Sequence, residues 1–257
     1  MAKPIILFNM NLQLNRILKS IVIVSIIISS GCQKDSPEVP DNPLNGKTSA
    51  IFNPKKKYGT VTDVDGNIYK TIRIGNLVWM AENLRTIHYR NGDEILNVKD
   101  NDEWTNLYNG AYCNYNNTNN PDTIATFGRL YNWYATNDDR NLAPKGWHVS
   151  TFGEWLELIN YLGGDSVAAD KLKEAGELHW HDPYLSTNSS GFTALPGGDR
   201  YRDENMDWIG YDGLWWSSTE YNEGGGFMFY MFAGGSKVYY GGNYKNNGYS
   251  IRCVKDY

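Results

Sequence analysis

Cysteine is scarce in this 257-residue chain, which carries three, and so is basic charge: 24 Lys and Arg stand against 29 Asp and Glu. Three cysteines cannot build the disulfide framework of a small secreted scaffold, so a hydrophobic core must carry the stability. The net charge of −5, with no basic cluster longer than Lys55-Lys56-Lys57, excludes the cationic face on which nucleic-acid binding depends. Apolar runs are short too: Ile21 to Ile28 is roughly half the ~20 residues that a membrane-spanning helix needs. No internal repeat is present. There is no Ser-His-Asp order, phosphate-cradling glycine loop or Cys-His pair, so neither catalysis nor a cofactor is expected.

Aromatic side chains are abundant, 14% of residues with 9 Trp and 19 Tyr, which excludes a disordered chain and suits one or two packed domains. At the N-terminus the Ile21–Ile28 run follows Arg16 and Lys19 and ends in Ser29-Ser30-Gly31-Cys32, the layout of a secretory signal. Gly31-Cys32 is similar to the lipobox of bacterial lipoproteins, with Ser29 where leucine is usual. That similarity implies removal of residues 1–31 and acylation of Cys32. Gln33-Lys34-Asp35 resembles the export tag of surface lipoproteins of the Bacteroidota. Lys3, Arg16 and Lys19 leave with the signal, so 24 basic residues become 21 against 29 acidic ones, a charge of −8. Lipid rather than charge must then hold the chain to an anionic membrane. The expected location is the outer membrane, lipid-anchored, at the cell surface. Residues 32–57, with Pro37, Pro40, Pro43 and Pro54, read as a disordered tether, and residues 58–257 as the folded domain.

Within the domain, Thr60-Val61-Thr62 and Ile68 to Ile74 predict a hairpin across Asp65-Gly66. Asp63 to Asn67 would open a calcium loop of EF-hand type, but Ile74 occupies the twelfth position, where a bidentate acid is required. Phe127, Leu130, Tyr131 and Tyr134 fall at helical spacing. So do Trp155, Leu158, Ile159 and Leu162, opened by the capping box Thr151-Phe152-Gly153-Glu154 and stopped by Gly163-Gly164. A third helix is predicted from Ser166 to Ala175. Strands follow at Leu214 to Thr219, Phe227 to Ala233, Lys237 to Tyr240 and Tyr249 to Val254. Antiparallel sheets at both ends, with two or three helices in the middle of the chain, indicate an α+β fold. Pro196 to Gly213 shows no period and reads as an irregular loop, and Asn114 to Asn120 as an exposed one.

The aperiodic loop and its surroundings offer the best candidate for ligand contact. Trp180, Tyr201, Trp208 and Tyr211, interleaved with Arg200, Asp203 and Asp207, combine flat apolar faces with hydrogen-bonding groups, as sugar rings and protein hot spots require. Burial in the core is the competing role for such aromatics, above all for Trp215 and Trp216 in a predicted strand. His179 and His181 would share one face of a strand, with Asp182 beside them, but two histidines are half a zinc site and no metal is expected. Asp138-Asp139 and Asp203-Glu204 are adjacent acids that point apart, unlike the facing pair of a glycoside hydrolase. Cys113 and Cys253 can form a disulfide in an oxidising compartment or remain two buried thiols.

Trp79-Met80-Ala81-Glu82-Asn83-Leu84, Gly128 to Tyr134, Pro144 to Val149, Glu154-Trp155, Gly191 to Gly198, Trp215 to Thr219 and Ser250 to Val254 together resemble the Fibrobacter succinogenes major paralogous domain. The resemblance covers about Tyr58 to Tyr257 and implies an extracytoplasmic protein of a family with no established activity. The order of elements is similar to the C-type lectin-like fold shared with formylglycine-generating enzymes, through Gly146 to Trp155 and Arg252-Cys253. The lectins' Glu-Pro-Asn and Trp-Asn-Asp signatures and the enzymes' active-site cysteine pair are absent, so neither chemistry is implied. The expectation is a lipid-anchored, non-catalytic binding or adhesion module for an extracellular polysaccharide or a cell-surface protein. Alternatives are a structural subunit of a surface assembly and a metal-dependent hydrolase.

Overall fold

Asp63 organises the first hairpin. Strands β1 (Gly59–Thr62) and β2 (Ile68–Ile74) pair antiparallel across a turn in which Asp63 Oδ1 accepts from the backbone N–H of Asp65 and of Asn67, each at 2.9 Å. Its Oδ2 accepts from the Asn67 side-chain amide and the Tyr69 hydroxyl. Asp65 accepts from Thr86 Oγ1 and the Ile87 N–H, which pins a second loop. The carboxylates a calcium loop would offer are therefore bonded to the fold's own donors.

The computed structural model describes residues 42–182, 186–202 and 206–257; the signal segment, Cys32, Gln33-Lys34-Asp35 and Asp203 lie outside the described residues. β3 (Leu77–Met80) follows β2, and the C-terminal β14 (Cys253–Lys255) and β7 (Trp147–Val149) complete a five-stranded sheet in the order β1-β2-β3-β14-β7, antiparallel throughout. A second sheet runs β12 (Tyr239–Tyr244), β11 (Gly225–Phe232), β10 (Asp212–Asn222), β8 (Gly197–Arg200), β9 (Met206–Ile209). In it β10 is antiparallel to β11 but parallel to β8 and to β13 (Ser250–Ile251). β4 (Leu96–Asn97), β5 (Ala111–Cys113) and β6 (Leu130–Tyr131) form a third, small sheet. Five α-helices are present among the described residues: α1 (Asn101–Thr105), α2 (Pro121–Phe127), α3 (Trp133–Thr136), α4 (Phe152–Tyr161) and α5 (Asp165–Leu172). The architecture is mixed α and β with mostly antiparallel sheets.

The helix α4 forms as its capping box requires: the Glu154 N–H donates to Thr151 Oγ1 and the Thr151 N–H to Glu154 Oε2. Trp155 on its buried face stacks on Phe229 of β11 at 4.8 Å and meets Trp79 of β3 edge-on, so the helix is packed against both large sheets. The helix expected over Phe127 to Tyr134 does not exist as one element. α2 ends at Phe127, Gly128 stands at φ +76° with Leu84 O only 2.7 Å from where a Cβ would be, and β6 and α3 follow. Of the residues at that spacing, Leu130 and Tyr131 of β6 are buried, whereas Phe127 at the end of α2 and Tyr134 in α3 are half-buried. The third predicted helix ends at Leu172, because Lys173 turns extended. Asn114 is buried rather than exposed, and Asn120 caps α2.

Cys113 and Cys253 are free thiols, buried in different core clusters on β5 and β14; burial pushes the Cys113 thiol up to about 11 and raises that of Cys253. The tether does not extend to residue 57. Asn42 Nδ2 donates to Asp65 O and Asn67 Oδ1, Asn45 Nδ2 to Gly66 O, the Ile51 N–H to Glu174 Oε1 and Asn53 Nδ2 to Asn188 O. Asparagines that read as linker composition are the bonding groups of a strap. At about 0.5–1.5 kcal/mol net for each hydrogen bond, a chain starting at Tyr58 is expected to be less stable by about 3 kcal/mol than one starting at Asn42. Thermal unfolding measures this: a Tm lower by roughly 5–10 °C is expected, and equal Tm values would mean that the strap contributes nothing.

Candidate functional site

Eight of the nine tryptophans are buried, and Trp208, 54% exposed, is the exception. Most buried indoles find acceptors, as Trp155 does in Ser150 Oγ, Trp215 in Asn83 Oδ1 and Trp216 in Tyr131 O, whereas Trp79 Nε1 has none. Trp208 sits where β9 turns into β10, at φ +67°, a conformation that costs a bulky residue backbone strain. The turn is closed by the Tyr211 N–H donating to Trp208 O at 2.9 Å. Tyr211, itself half-exposed, meets the indole edge-on at 6.3 Å and stacks on the His181 ring at 4.4 Å. Gly210 makes the stacking possible, since a Cβ there would lie 2.5 Å from His181 Cδ2. The result is a surface platform of three rings held at strand ends.

The segment Pro196 to Gly213 is thus a strand pair, not an irregular loop. β8 is buried along its whole length, so no alternation marks it, and Gly198, at φ +66°, lets Asp207 O approach to 2.5 Å from the absent Cβ. Its contact candidates divide. Trp180 is core, donating from Nε1 to Ala194 O under the ammonium of Lys173. Arg200 is also fully buried; it donates to the carbonyls of Val98, Lys99 and Asp100 and to Asn101 Oδ1, and lies over the Trp104 ring. Both are structural, because Trp180 Nε1 and both terminal nitrogens of the Arg200 guanidinium are bonded inside the fold, although Arg200 Nε has no partner. Tyr201, Asp207, Trp208 and Tyr211 are exposed. His179 and His181 do not converge: His179 Nδ1 bonds buried Glu174 Oε2 at 2.6 Å while His181 joins the platform. Among the described residues no group of three His, Cys, Asp or Glu side chains is placed to hold a metal ion.

The opposite face of the same sheet carries a second feature that the sequence reading missed. Asp199 of β8 faces Asp207 of β9 in register, and Gly198 faces Gly213, which puts Asp212 of β10 on the same side. Asp199 and Asp212 line a cleft of about 320 Å³ with Tyr201, Tyr230 and Asn243. Asp199 is 2% exposed and its Oδ1 has no hydrogen-bond partner. Burial, with Asp212 and then Asp207 beside it, pushes its carboxyl up to about 7, and burial also raises that of Asp212. A signal existed: an acid and an arginine in Gly197-Gly198-Asp199-Arg200, flanked by glycines that allow close backbone approach.

A family model for the Fibrobacter succinogenes major domain matches residues 72–255. The chain belongs to this family. No curated protein matches it, and no solved structure does. The motifs behind the resemblance are structural in the Fibrobacter succinogenes major domain as it stands here. Asn83, Phe192-Thr193, Trp215 and Arg252 meet at one buried hub, where Arg252 donates to Asn83 Oδ1 and to the carbonyls of Met80, Phe192 and Thr193. Neither the platform nor Asp212 belongs to those motifs, and Asp199 directly follows one. No helix among the described residues is long and apolar enough to cross a membrane.

Proposed function

We propose that this protein is a lipid-anchored cell-envelope binding module of C-type lectin-like fold, non-catalytic, which recognises an extracellular polysaccharide through the Trp208–Tyr211 platform. The observation that carries the reading is the exposure of a single tryptophan at a strained backbone position. Indole surface left in water costs free energy, strain adds to it, and such costs collect where binding needs a preorganised face. Flat rings carrying an indole N–H and a phenol hydroxyl match the alternation of apolar faces and hydroxyl edges on a pyranose. The lipid at Cys32 and the outer-membrane surface location follow from the lipobox-like Gly31-Cys32 and the charged segment after it.

A second reading, a structural subunit of a surface assembly, draws on β12: it is an edge strand with Tyr240 and Tyr244 exposed, and unpaired edges recruit further chains. A polysaccharide array probed with the wild type and Trp208→Asn separates the two. Asparagine accepts positive φ, so the variant is expected to keep its Tm and lose at least about tenfold in affinity, the ~1–3 kcal/mol of one aromatic contact. Undiminished binding by the variant would rule the platform out, and self-association without glycan binding would favour the assembly.

A further inference from the structure

The Asp199 cleft makes a separate demand on a ligand. Three carboxylates, Asp199, Asp207 and Asp212, share one side of β8, β9 and β10, and among the described residues no lysine, arginine or histidine pairs with any of them. Arg200 points away into the Val98–Asn101 backbone, and the hydrogen-bonding atoms of Asn243 are engaged with Tyr249, Tyr244 and Asn247. A buried carboxyl with a vacant Oδ1 calls for a donor, and an uncompensated cluster of acids calls for that donor to be positive. The walls supply rings: Tyr201 and Tyr230 border the cleft, and Gly241, with nothing within 4 Å of where a Cβ would stand, leaves room opposite them. Tyrosine faces attract ammonium groups as well as sugar faces. The volume lies at the low end of small-molecule sites and suits one sugar ring better than an extended peptide.

We propose that this cleft binds an amino sugar with a free, protonated amine, its ammonium donating to Asp199 and Asp212 while a tyrosine covers the ring. The inference goes beyond the platform reading and does not depend on it, since the two sites occupy opposite faces of the sheet. A carboxyl held near 7 is what such a site shows before its cation arrives: the amine, on entering, favours the ionised form.

The test is titration of the full chain in detergent, followed by NMR, with glucosamine tetramer, its fully N-acetylated counterpart, tetralysine and calcium chloride in separate arms. The glucosamine tetramer is expected to bind at least about tenfold more tightly than the acetylated one. That preference is expected to vanish in Asp199→Asn and in Asp212→Asn, and to persist in Trp208→Asn. Asp199→Asn is the conservative variant, and an unchanged or raised Tm excludes unfolding as the cause of any loss. Equal binding of both tetramers, wild-type binding by Asp199→Asn, preference for tetralysine, or calcium binding lost in the same variants would each overturn the proposal. Loss of glycan binding in Trp208→Asn with the amine preference intact overturns only the platform reading, whereas loss of the amine preference in that variant would overturn this proposal.

Discussion

Arg252→Ala is expected to destabilise the protein by about 3–5 kcal/mol, a large part of the stability of a typical domain. The side chain is fully buried, lies over the Phe192 ring at 4.6 Å, and donates to Asn83 Oδ1 at 2.7 Å and to Met80 O, Phe192 O and Thr193 O, each at 2.9 Å. Removing it leaves three buried carbonyls with one donor fewer and a cavity beside Trp215, which shares Asn83 Oδ1. One of those carbonyls belongs to Thr193, a β-branched residue at φ +56° that its bonds to Asn188 and Arg252 hold in place. Arg252→Lys keeps the charge but cannot reach all four acceptors on the two segments at once, so it is expected to recover less than half of the loss. Denaturant unfolding of both variants measures this. A loss below about 1 kcal/mol in Arg252→Ala would mean that water or a neighbour replaces the guanidinium at the hub.

The same hub explains what was legible in the sequence. Periodicity found α4 because that helix has one buried face and a complete capping box, and apolar runs located β10 and β11, whereas β12 spans Tyr239–Tyr244 rather than Lys237 to Tyr240 and the stretch Tyr249 to Val254 divides into β13 and β14 of two different sheets. Periodicity failed over Phe127 to Tyr134, where apolar residues at helical spacing serve β6 and two helix ends, and over Gly197 to Arg200, a strand buried on both sides. The motifs that carry the family resemblance are visible because each tryptophan, asparagine or arginine in them has several fixed partners. A site is under the opposite condition. Trp208 has one ring neighbour and Asp199 a vacant oxygen, so no periodicity distinguishes them from core aromatics or surface acids, and only the glycines before Asp199 mark its position. The strap from Asn42 was hidden because its asparagines bond to Asp65, Asn67 and Asn188, contacts that only the folded chain brings near.

Asp199→Asn is expected to stabilise the protein above neutral pH by about 1–3 kcal/mol. The folded carboxyl titrates at about 7 and the unfolded one at 3.8. Well below pH 3.8 both are protonated and the group contributes no difference. Between these values the folded state holds a proton that the unfolded state has released, so stability falls as pH rises and stays lower above 7. The interval of about three pKa units sets an upper bound of ~4 kcal/mol, which relaxation around a buried charge reduces. Asp63 and Asp212 shift in the same direction, whereas Asp65, Asp138 and Glu154 shift in the other, so only the difference between variant and wild type isolates Asp199. Thermal unfolding at about pH 3 and pH 8 is expected to give nearly equal Tm values at the first and a higher one for the variant at the second. Equal values at both would show the carboxyl to be solvated in the cleft, with no unmet demand for a cation. The amine proposal adds a reciprocal consequence. An ammonium in the cleft would stabilise the ionised carboxylate, so glucosamine tetramer should raise the wild-type Tm at about pH 8 and leave the Asp199→Asn variant unmoved, because linkage ties ligand affinity to the same proton.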